Sequence, residues 1–424
     1  MQRHARRFLY VVGLVLFAWL LSGCGSSTTS AGGGGTITLT VSTNVVGDQA
    51  KVLEDIARKF EKANPDIKVN FSAPGANYET LMKVKMASGH LPDVFSTHGW
   101  AKIRYGKFLA DLRDQPWASQ LSPTIKDAVT DDTGKVYALP MDQDKSGPIY
   151  NVDILNQYGI AVPGTFDQLV AACQTILAKS HGQIIPIHMG AGDAWPVGQF
   201  YDFFATASLI SPQTNYKTAL TNGTFNWSAN WTPLAQKLQV LQQKGCLNKD
   251  AVTAKYTDSV EAFVKGKVAF GFYGPFLIDE VRKTNPNAHL GLMPIPSVVP
   301  GDVPTFAGGE KTTWGVWKDS PNLAAAKKFV AFYAQPENDA LVAQSDELPP
   351  GLNGVQANLG VMATSFQTYK DIRVLPYFDR VYLPNGMWDV MCKNGQDLLA
   401  NAITPGKFSD NMKQAFDRLR TSGS

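Results

Sequence analysis

The sequence predicts an α/β protein of two domains, on three observations. β-branched runs alternate with amphipathic stretches at the start of the folded body, and the same alternation returns in the middle of the chain. The composition, 44% apolar and 18% charged, suits a packed core. The body from about Thr36 to Ser424 has room for two domains of roughly 100–200 residues each.

Thr36–Ser42 alternates and is rich in β-branched residues, so it reads as a strand. Asp48–Ala63 reads as a helix, because Val52, Ile56 and Phe60 recur every four residues with Leu53 and Ala57 beside them. Asn64-Pro65 ends it. Ile67–Phe71 is a second strand, Tyr78–Ser88 a second helix closed by Gly89, and Pro92–Ser96 a third strand with an apolar centre. This βαβαβ order implies a parallel sheet with right-handed crossovers. Ligands of such sheets bind beyond the carboxyl ends of the strands, here Ser42-Thr43-Asn44 and Thr97-His98-Gly99-Trp100.

Further along, Val136–Pro140 and Pro148–Asn151 are short strands and Phe166–Ala178 is a helix. Ile184–His188 is a strand leading into a Gly/Asp-rich loop, Gly190–Trp195. Thr232–Lys244 is a helix ending at Gly245, and Val268–Tyr273 a strand ending at Gly274-Pro275. Leu290–Pro296 crosses to Thr312–Trp317, and Leu323–Ala334 is a helix with Phe329, Val330 and Tyr333 inward. No repeat of a solenoid's length is present.

The first residues indicate location. Arg3, Arg6 and Arg7, with no acid, precede a 14-residue apolar run from Phe8 to Leu21, signal-peptide length and short for a bilayer span. Leu21-Ser22-Gly23-Cys24 resembles a bacterial lipobox, in which the peptide is cut before a cysteine that carries a diacylglycerol. Residues 1–23 are then a signal peptide, and Cys24 anchors the chain to the outer face of the cell membrane. The alternative is an uncleaved anchor with an incidental cysteine. Gly25–Gly35 holds only Gly, Ser, Thr and Ala, so 24–35 reads as a flexible leash.

The net charge of +3 comes from the leader: without its three arginines, the 39 basic residues fall to 36, equal to the 36 acidic ones. Nucleic-acid binding and polybasic membrane adhesion therefore lack an electrostatic basis. Cys173, Cys246 and Cys392 form no CxxC pair, so zinc is unsupported. A Cys173–Cys246 disulfide stays open, as do two other pairings and a role as buried small hydrophobes. Nine Trp, fourteen Tyr and 22 Phe are present, several beside Gly, Pro and Asp. Aromatic faces with carboxylates and amides nearby suit a neutral, polyhydroxylated ligand.

Several segments carry a family likeness: Phe60-Glu-Lys-Ala-Asn-Pro-Asp-Ile-Lys-Val69, Leu91-Pro-Asp-Val-Phe95, Gly134-Lys-Val-Tyr-Ala-Leu-Pro140 and Ile149-Tyr-Asn-Val-Asp-Ile-Leu155. Tyr158-Gly-Ile160, Pro163-Gly-Thr-Phe-Asp-Gln-Leu169, Phe263–Phe272, Gly308-Gly309 and Trp314-Gly-Val316 follow in order. Together they resemble bacterial extracellular solute-binding proteins of family 1, the carbohydrate group that includes maltose-binding protein. The resemblance implies a type II-like periplasmic-binding fold: two lobes, each a mixed or parallel sheet flanked by helices, with the ligand in the cleft between them. Lobe I would take 36–141 and 294–346, and lobe II 145–293 and 350–424. Crossings at Pro140–Asp144, near Leu292–Pro296 and near Pro349-Pro350 would form the hinge. It also implies a monomer without cofactor or metal, delivering a carbohydrate to the permease of an ABC importer, with closure as the signal. Two departures keep the sugar class open. Met141–Lys145 stands where the family often has Trp, and Phe276 replaces the usual Trp after Gly-Pro.

The candidate ligand contacts follow. Trp195 reads as a stacking platform, and Tyr273 as a ring whose hydroxyl also bonds ligand. Trp314 and Trp388 line the cleft or pack in a core. Asp142, Gln143 and Asp144 touch ligand or form a solvated hinge. Asn44, His98 and Glu310 occupy positions where the family places polar contacts, and Tyr78 faces the cleft or caps a helix. The alternatives are a glycerol phosphodiester bound through Lys145 or Lys311, a polyol, a polyamine, or a glycoside hydrolase using Asp142 and Asp144. No Gly-x-Ser-x-Gly, His-Glu-x-x-His or GxGxxG motif supports catalysis, and no enzymatic activity is expected.

Overall fold

A computed structural model describes residues 36–422. The expected signal peptide, the expected leash and Cys24 lie outside the described residues.

The first half-sheet forms as its pattern demands. β1 (Ile37–Ser42), α1 (Gly47–Ala63), β2 (Ile67–Ser72), α2 (Tyr78–Ser88) and β3 (Val94–Phe95) follow one another, and β1 pairs in parallel with both β2 and β3. Strands Thr313–Val316 and Ala138–Pro140 complete a five-stranded sheet, each antiparallel to its neighbour. α1 turns Leu53, Ile56, Ala57 and Phe60 onto it. The Phe60 ring meets Phe329 and Phe332 edge-on at 5.2 and 5.5 Å, on the helix Leu323–Tyr333. Burying one such ring contributes about 1.5–3 kcal/mol. Asn64 stops α1 by donating its side-chain amide to the Phe60 carbonyl at 2.8 Å, and Pro65 has no amide with which to continue. β3 is shorter than expected because its flank bonds through side chains. The Asp93 carboxylate accepts from the Thr40 amide and hydroxyl, both at 2.7 Å, and from the Ser320 hydroxyl at 2.5 Å.

A second, four-stranded sheet joins Ile185–Ile187, Val268–Gly271, Ile149–Asn151 and Leu290–Leu292 in that order, parallel in the first pair and antiparallel in the others. Thr165 and Gln168 start the helix Phe166–Ser180 with reciprocal side-chain-to-amide bonds, a capping box. Two elements begin earlier than their patterns suggest. The helix Trp227–Gln243 starts ahead of Thr232, because Asn226 caps it by accepting from the Ala229 amide at 3.0 Å and Pro233 is held inside. Trp195 does not end a loop but opens the helix Trp195–Leu209, with Pro196 pre-set for its first turn. The core here is largely aromatic: Phe200, Phe204 and Phe272 interlock, as do Tyr201, Trp231 and Phe408. Cys173, Cys246 and Cys392 are all buried free thiols.

A small third sheet lies where the chain crosses between lobes. Phe306–Gly309 pairs in parallel with Val374–Pro376 and antiparallel with Asp144–Ser146. Beside it Gly351 presses on the opposite strand, so that a Cβ there would fall 2.2 Å from the Pro140 carbonyl oxygen. The crossings can run this close only without a side chain.

One buried group sits at odds with its surroundings. Asp339, in the helix Pro336–Ser345, is fully buried with neither carboxylate oxygen hydrogen-bonded. Burial pushes its pKa up to about 8. The folded state therefore holds a proton that the unfolded chain has released, and stability from this group falls as pH rises from near 4 to about 8. Asp339→Asn should raise the melting temperature more at pH 8.5 than at pH 5, and least near pH 3.5, as thermal unfolding at the three pH values would register.

Candidate functional site

The segment expected to form the hinge is built around Asp142. Its carboxylate is unexposed and accepts from the Lys311 amide at 3.1 Å and, with both oxygens, from the Thr312 amide at 3.1 Å. Asp346 lies beside it and accepts from Lys311 Nζ and from the Thr312 hydroxyl, each at 2.8 Å. Burial and the Asp346 charge push the Asp142 pKa well up. Burial opposes ionisation of Asp346 as well, yet Lys311 holds that carboxyl below its usual range. Gln143 ties the neighbouring crossing: its backbone amide donates to the Pro349 carbonyl at 2.7 Å and its side chain to the Pro350 carbonyl at 2.5 Å. Its remaining oxygen accepts from Ser122 Oγ at 3.0 Å. Neither Asp142 nor Gln143 is a solvated hinge residue, because two adjacent crossings must find internal partners for their backbone groups.

Asp144, one step further, does reach the cleft. It lines a cavity of about 120 Å³, walled by Lys311, Asp346 and His98 on one side and by Gln199, Tyr273, Pro275, Phe276, Asp279, Tyr377 and Arg380 on the other, with Ser146 between. The Tyr377 hydroxyl donates to Asp144 Oδ2 at 2.7 Å. Burial raises the Asp144 pKa, while the Arg380 charge draws it back. Burial likewise brings Asp279 up to about 6. The wall thus holds two fixed cations among three carboxylates, a set that can both donate to and accept from hydroxyl groups.

Arg380 spans the cleft. Its guanidinium lies 4.0 Å over the Tyr377 ring and 5.3 Å from that of Trp100. Its Nη1 is buried without a partner. Gly99, at φ +85°, makes room for it, since a Cβ there would stand 2.5 Å from Arg380 Cδ. His98, also left-handed at φ 45°, joins the wall with Nδ1 3.2 Å from Glu79 Oε1. Burial lowers its pKa against the pull of Glu79.

The aromatic wall differs from expectation. The Tyr273 ring faces the cavity, but its hydroxyl is committed inward: it donates to the His188 carbonyl and accepts from the Gly190 amide, both at 3.0 Å, and bonds Ser259 Oγ. Trp195 stands behind the wall, half-buried, with ring centres 5.0 Å from Tyr256 and 5.8 Å from Phe276. Phe276, 37% exposed, is the ring presented to the cavity.

Besides Asp142, Gln143 and Trp195, five further candidates lie off the wall. Tyr78 is a core residue whose hydroxyl donates to the Ser96 carbonyl. Trp314 is fully buried against Phe329 and Tyr333. Trp388 is half-buried on the second core, beside Gly198. Asn44 accepts from Ser96 Oγ at 2.6 Å. Glu310 is enclosed, with Oε1 unpartnered, and burial pushes it up to about 7 against the charge of Arg380. Of the wall residues, Gln199, Asp279, Asp346, Tyr377 and Arg380 were not anticipated. Their local sequence carries no alternation or motif, although Lys311 and Phe276 stood near recognised segments. Among the described residues no group of His, Cys, Asp and Glu is placed to hold a metal ion.

The profile of the bacterial extracellular solute-binding protein family matches residues 44–340. The chain belongs to this family. Its members are binding proteins that work outside the cytoplasm, and so does this one. The solute-binding protein is 42% identical over 412 residues to the melibiose/raffinose/stachyose-binding protein MelE of Bacillus subtilis, covering 97% of this chain and 96% of the relative. A putative binding protein of B. subtilis, crystallised in an open conformation, is similar in structure at TM-score 0.84 and 43% identity, covering 91% of this chain and 98% of the other. A sugar transporter protein of Bacillus licheniformis, solved with stachyose, is similar at TM-score 0.79 and 43% identity, covering 90% and 100%. These likenesses carry the two-lobed architecture.

If the Gly99 void exists to seat Arg380, the two sites are energetically coupled. Gly99→Ala should destabilise the wild-type background more than the Arg380→Ala background, by about 1 kcal/mol or more in a double-mutant cycle on thermal unfolding.

Proposed function

We propose that this solute-binding protein captures an oligosaccharide in its cleft by hinge closure and delivers it to the permease of an ABC importer. The observation that carries this reading is the cavity wall, where the exposed Phe276 ring stands among Asp144, Asp279, Asp346, Lys311 and Arg380. An aromatic face covers the C–H side of a sugar ring, and closely set donors and acceptors take its hydroxyls. The near balance of charge disfavours a polyamine. The ligands named for MelE and bound in the B. licheniformis protein support an oligosaccharide containing galactose.

In this mechanism Asp144 and Arg380 stay fixed on the hinge and one lobe, while Lys311, Asp346 and His98 approach from the other. Ligand that contacts both walls binds the closed form better and shifts the population towards it. No covalent step is involved and no catalytic role is assigned to the carboxylates. The lobes divide as 36–141 with 294–346 and 145–293 with 350–424, a division supported by the five-stranded and four-stranded sheets. Cys24 carries the lipid that holds the body at the membrane. A phosphate-bearing solute is the second reading, favoured by the unpartnered Arg380 nitrogen.

The deciding experiment is ligand-induced thermal stabilisation of the body against melibiose, raffinose, stachyose, glycerol phosphodiesters and polyamines. A ligand at 100 times its dissociation constant adds about 2.7 kcal/mol. A shift with the galactosides alone is the expected outcome, and one confined to a phosphodiester would overturn the sugar reading. Phe276→Ala should weaken raffinose binding by about 1–3 kcal/mol in calorimetry, with the fold intact. Cys24→Ser in the full chain should move the protein from the membrane fraction to the soluble fraction on cell fractionation.

A further inference from the structure

The crossing strand Asp144–Ser146 serves two cavities. Asp144 and Ser146 line the inner one, whereas Lys145 between them lines a second, of about 440 Å³, as alternation along a strand requires. Lys145 is half-buried there with weak partners. Its Nζ donates to the Tyr369 carbonyl at 2.9 Å and lies 4.8 and 5.8 Å from the Phe306 and Phe366 rings. The carboxylates nearby are engaged elsewhere. Asp302 pairs with Arg373 Nη2 at 2.8 Å, Asp371 pairs with Lys370 at 3.5 Å, and Asp144 Oδ2 takes the Tyr377 hydroxyl. Asp371 attracts Lys145 through space, and burial still lowers the Lys145 pKa. A desolvated ammonium without a bonded anion is costly.

Other donors share the wall. Lys370, Arg373 and the Thr124 hydroxyl line the same cavity, and Arg373 Nε is buried with no hydrogen-bond partner although Nη2 is paired. The lining thus carries three cations, and its one carboxylate, Asp144, is bonded to a residue of the inner cavity. We propose that this second cavity is an oxyanion site that takes a small tetrahedral anion, phosphate or sulfate. Lys145 Nζ supplies the central charge, and Arg373 Nε, Lys370 Nζ and the Thr124 hydroxyl supply the flanking donors, charge-assisted bonds that a tetrahedral anion can accept on several oxygens at once. The site is separate from the sugar cavity and does not depend on the sugar reading.

The test is a titration of the full chain with inorganic phosphate at constant ionic strength, chloride making up the balance, followed by phosphorus NMR. Wild type should give a saturable shift of the phosphate resonance that sulfate reverses. Lys145→Gln should weaken phosphate binding about tenfold, with Lys145→Arg recovering most of it. Lys370→Gln should weaken it about threefold. Lys370 is exposed, so this variant tests the site even where Lys145→Gln does not fold. Arg380→Gln, in the inner cavity, should bind phosphate as wild type does. No saturable shift in wild type, a shift that sulfate cannot reverse, or wild-type affinity in Lys145→Gln or Lys370→Gln would overturn the site. Loss of binding in Arg380→Gln with retention in Lys145→Gln would overturn it too, and would place the phosphate in the inner cavity. Raffinose binding, measured separately, decides the sugar reading whichever way phosphate behaves.

Discussion

Everything in the cleft hangs on a buried ionic knot at the crossing between lobes. Asp142, Lys311, Thr312 and Asp346 satisfy one another inside the protein, at 2.8–3.1 Å. Burying such charges is costly unless each is paired and hydrogen-bonded, and removing one partner strands the others. The knot joins three stretches that are far apart in sequence, and its Lys311 and Asp346 are also cavity wall. The knot and the cavity wall thus share atoms, so a change at Lys311 bears directly on the strands that Asp142 and Thr312 tie together.

Arg380 gives the second link between lobes. It stacks on Tyr377 and reaches Trp100 over the space left by Gly99. Tyr377 in turn bonds Asp144 on the hinge strand. A chain of contacts therefore runs from the crossing, through the site, to the loop after β3. The aromatic wall plays a quieter part. Trp195, Tyr256 and Tyr273 brace Phe276 from behind, and the inward hydrogen bonds of Tyr273 fix the bracing.

Much of the fold was legible because it rests on local patterns. The stripe of α1, its stop at Asn64-Pro65 and the parallel pairing of β1 with β2 and β3 follow from spacing alone. Trp195 was misplaced because Gly190–Asp193 reads as loop, whereas Pro196 starts a helix at once. The site was less legible. Which aromatic residue is buried depends on distant packing, so Tyr78 was read as facing the cleft or capping a helix and Trp314 was left between cleft and core, and both are core. Arg380 and Tyr377 follow a three-residue strand, Val374–Pro376, that has no alternation and ends in proline. The bond from Tyr377 to Asp144 spans 233 positions, and no local signal announces it.

The three-stranded sheet at the crossing shapes how the lobes can move. Its strands, Asp144–Ser146, Phe306–Gly309 and Val374–Pro376, are bonded edge to edge. Such a ribbon resists stretching and shear in its own plane, where hydrogen bonds would break, and yields mainly to bending out of it. Bodies joined by such a ribbon would swing along a single track, so two forms related by that bend would differ in one coordinate rather than in a spread of orientations.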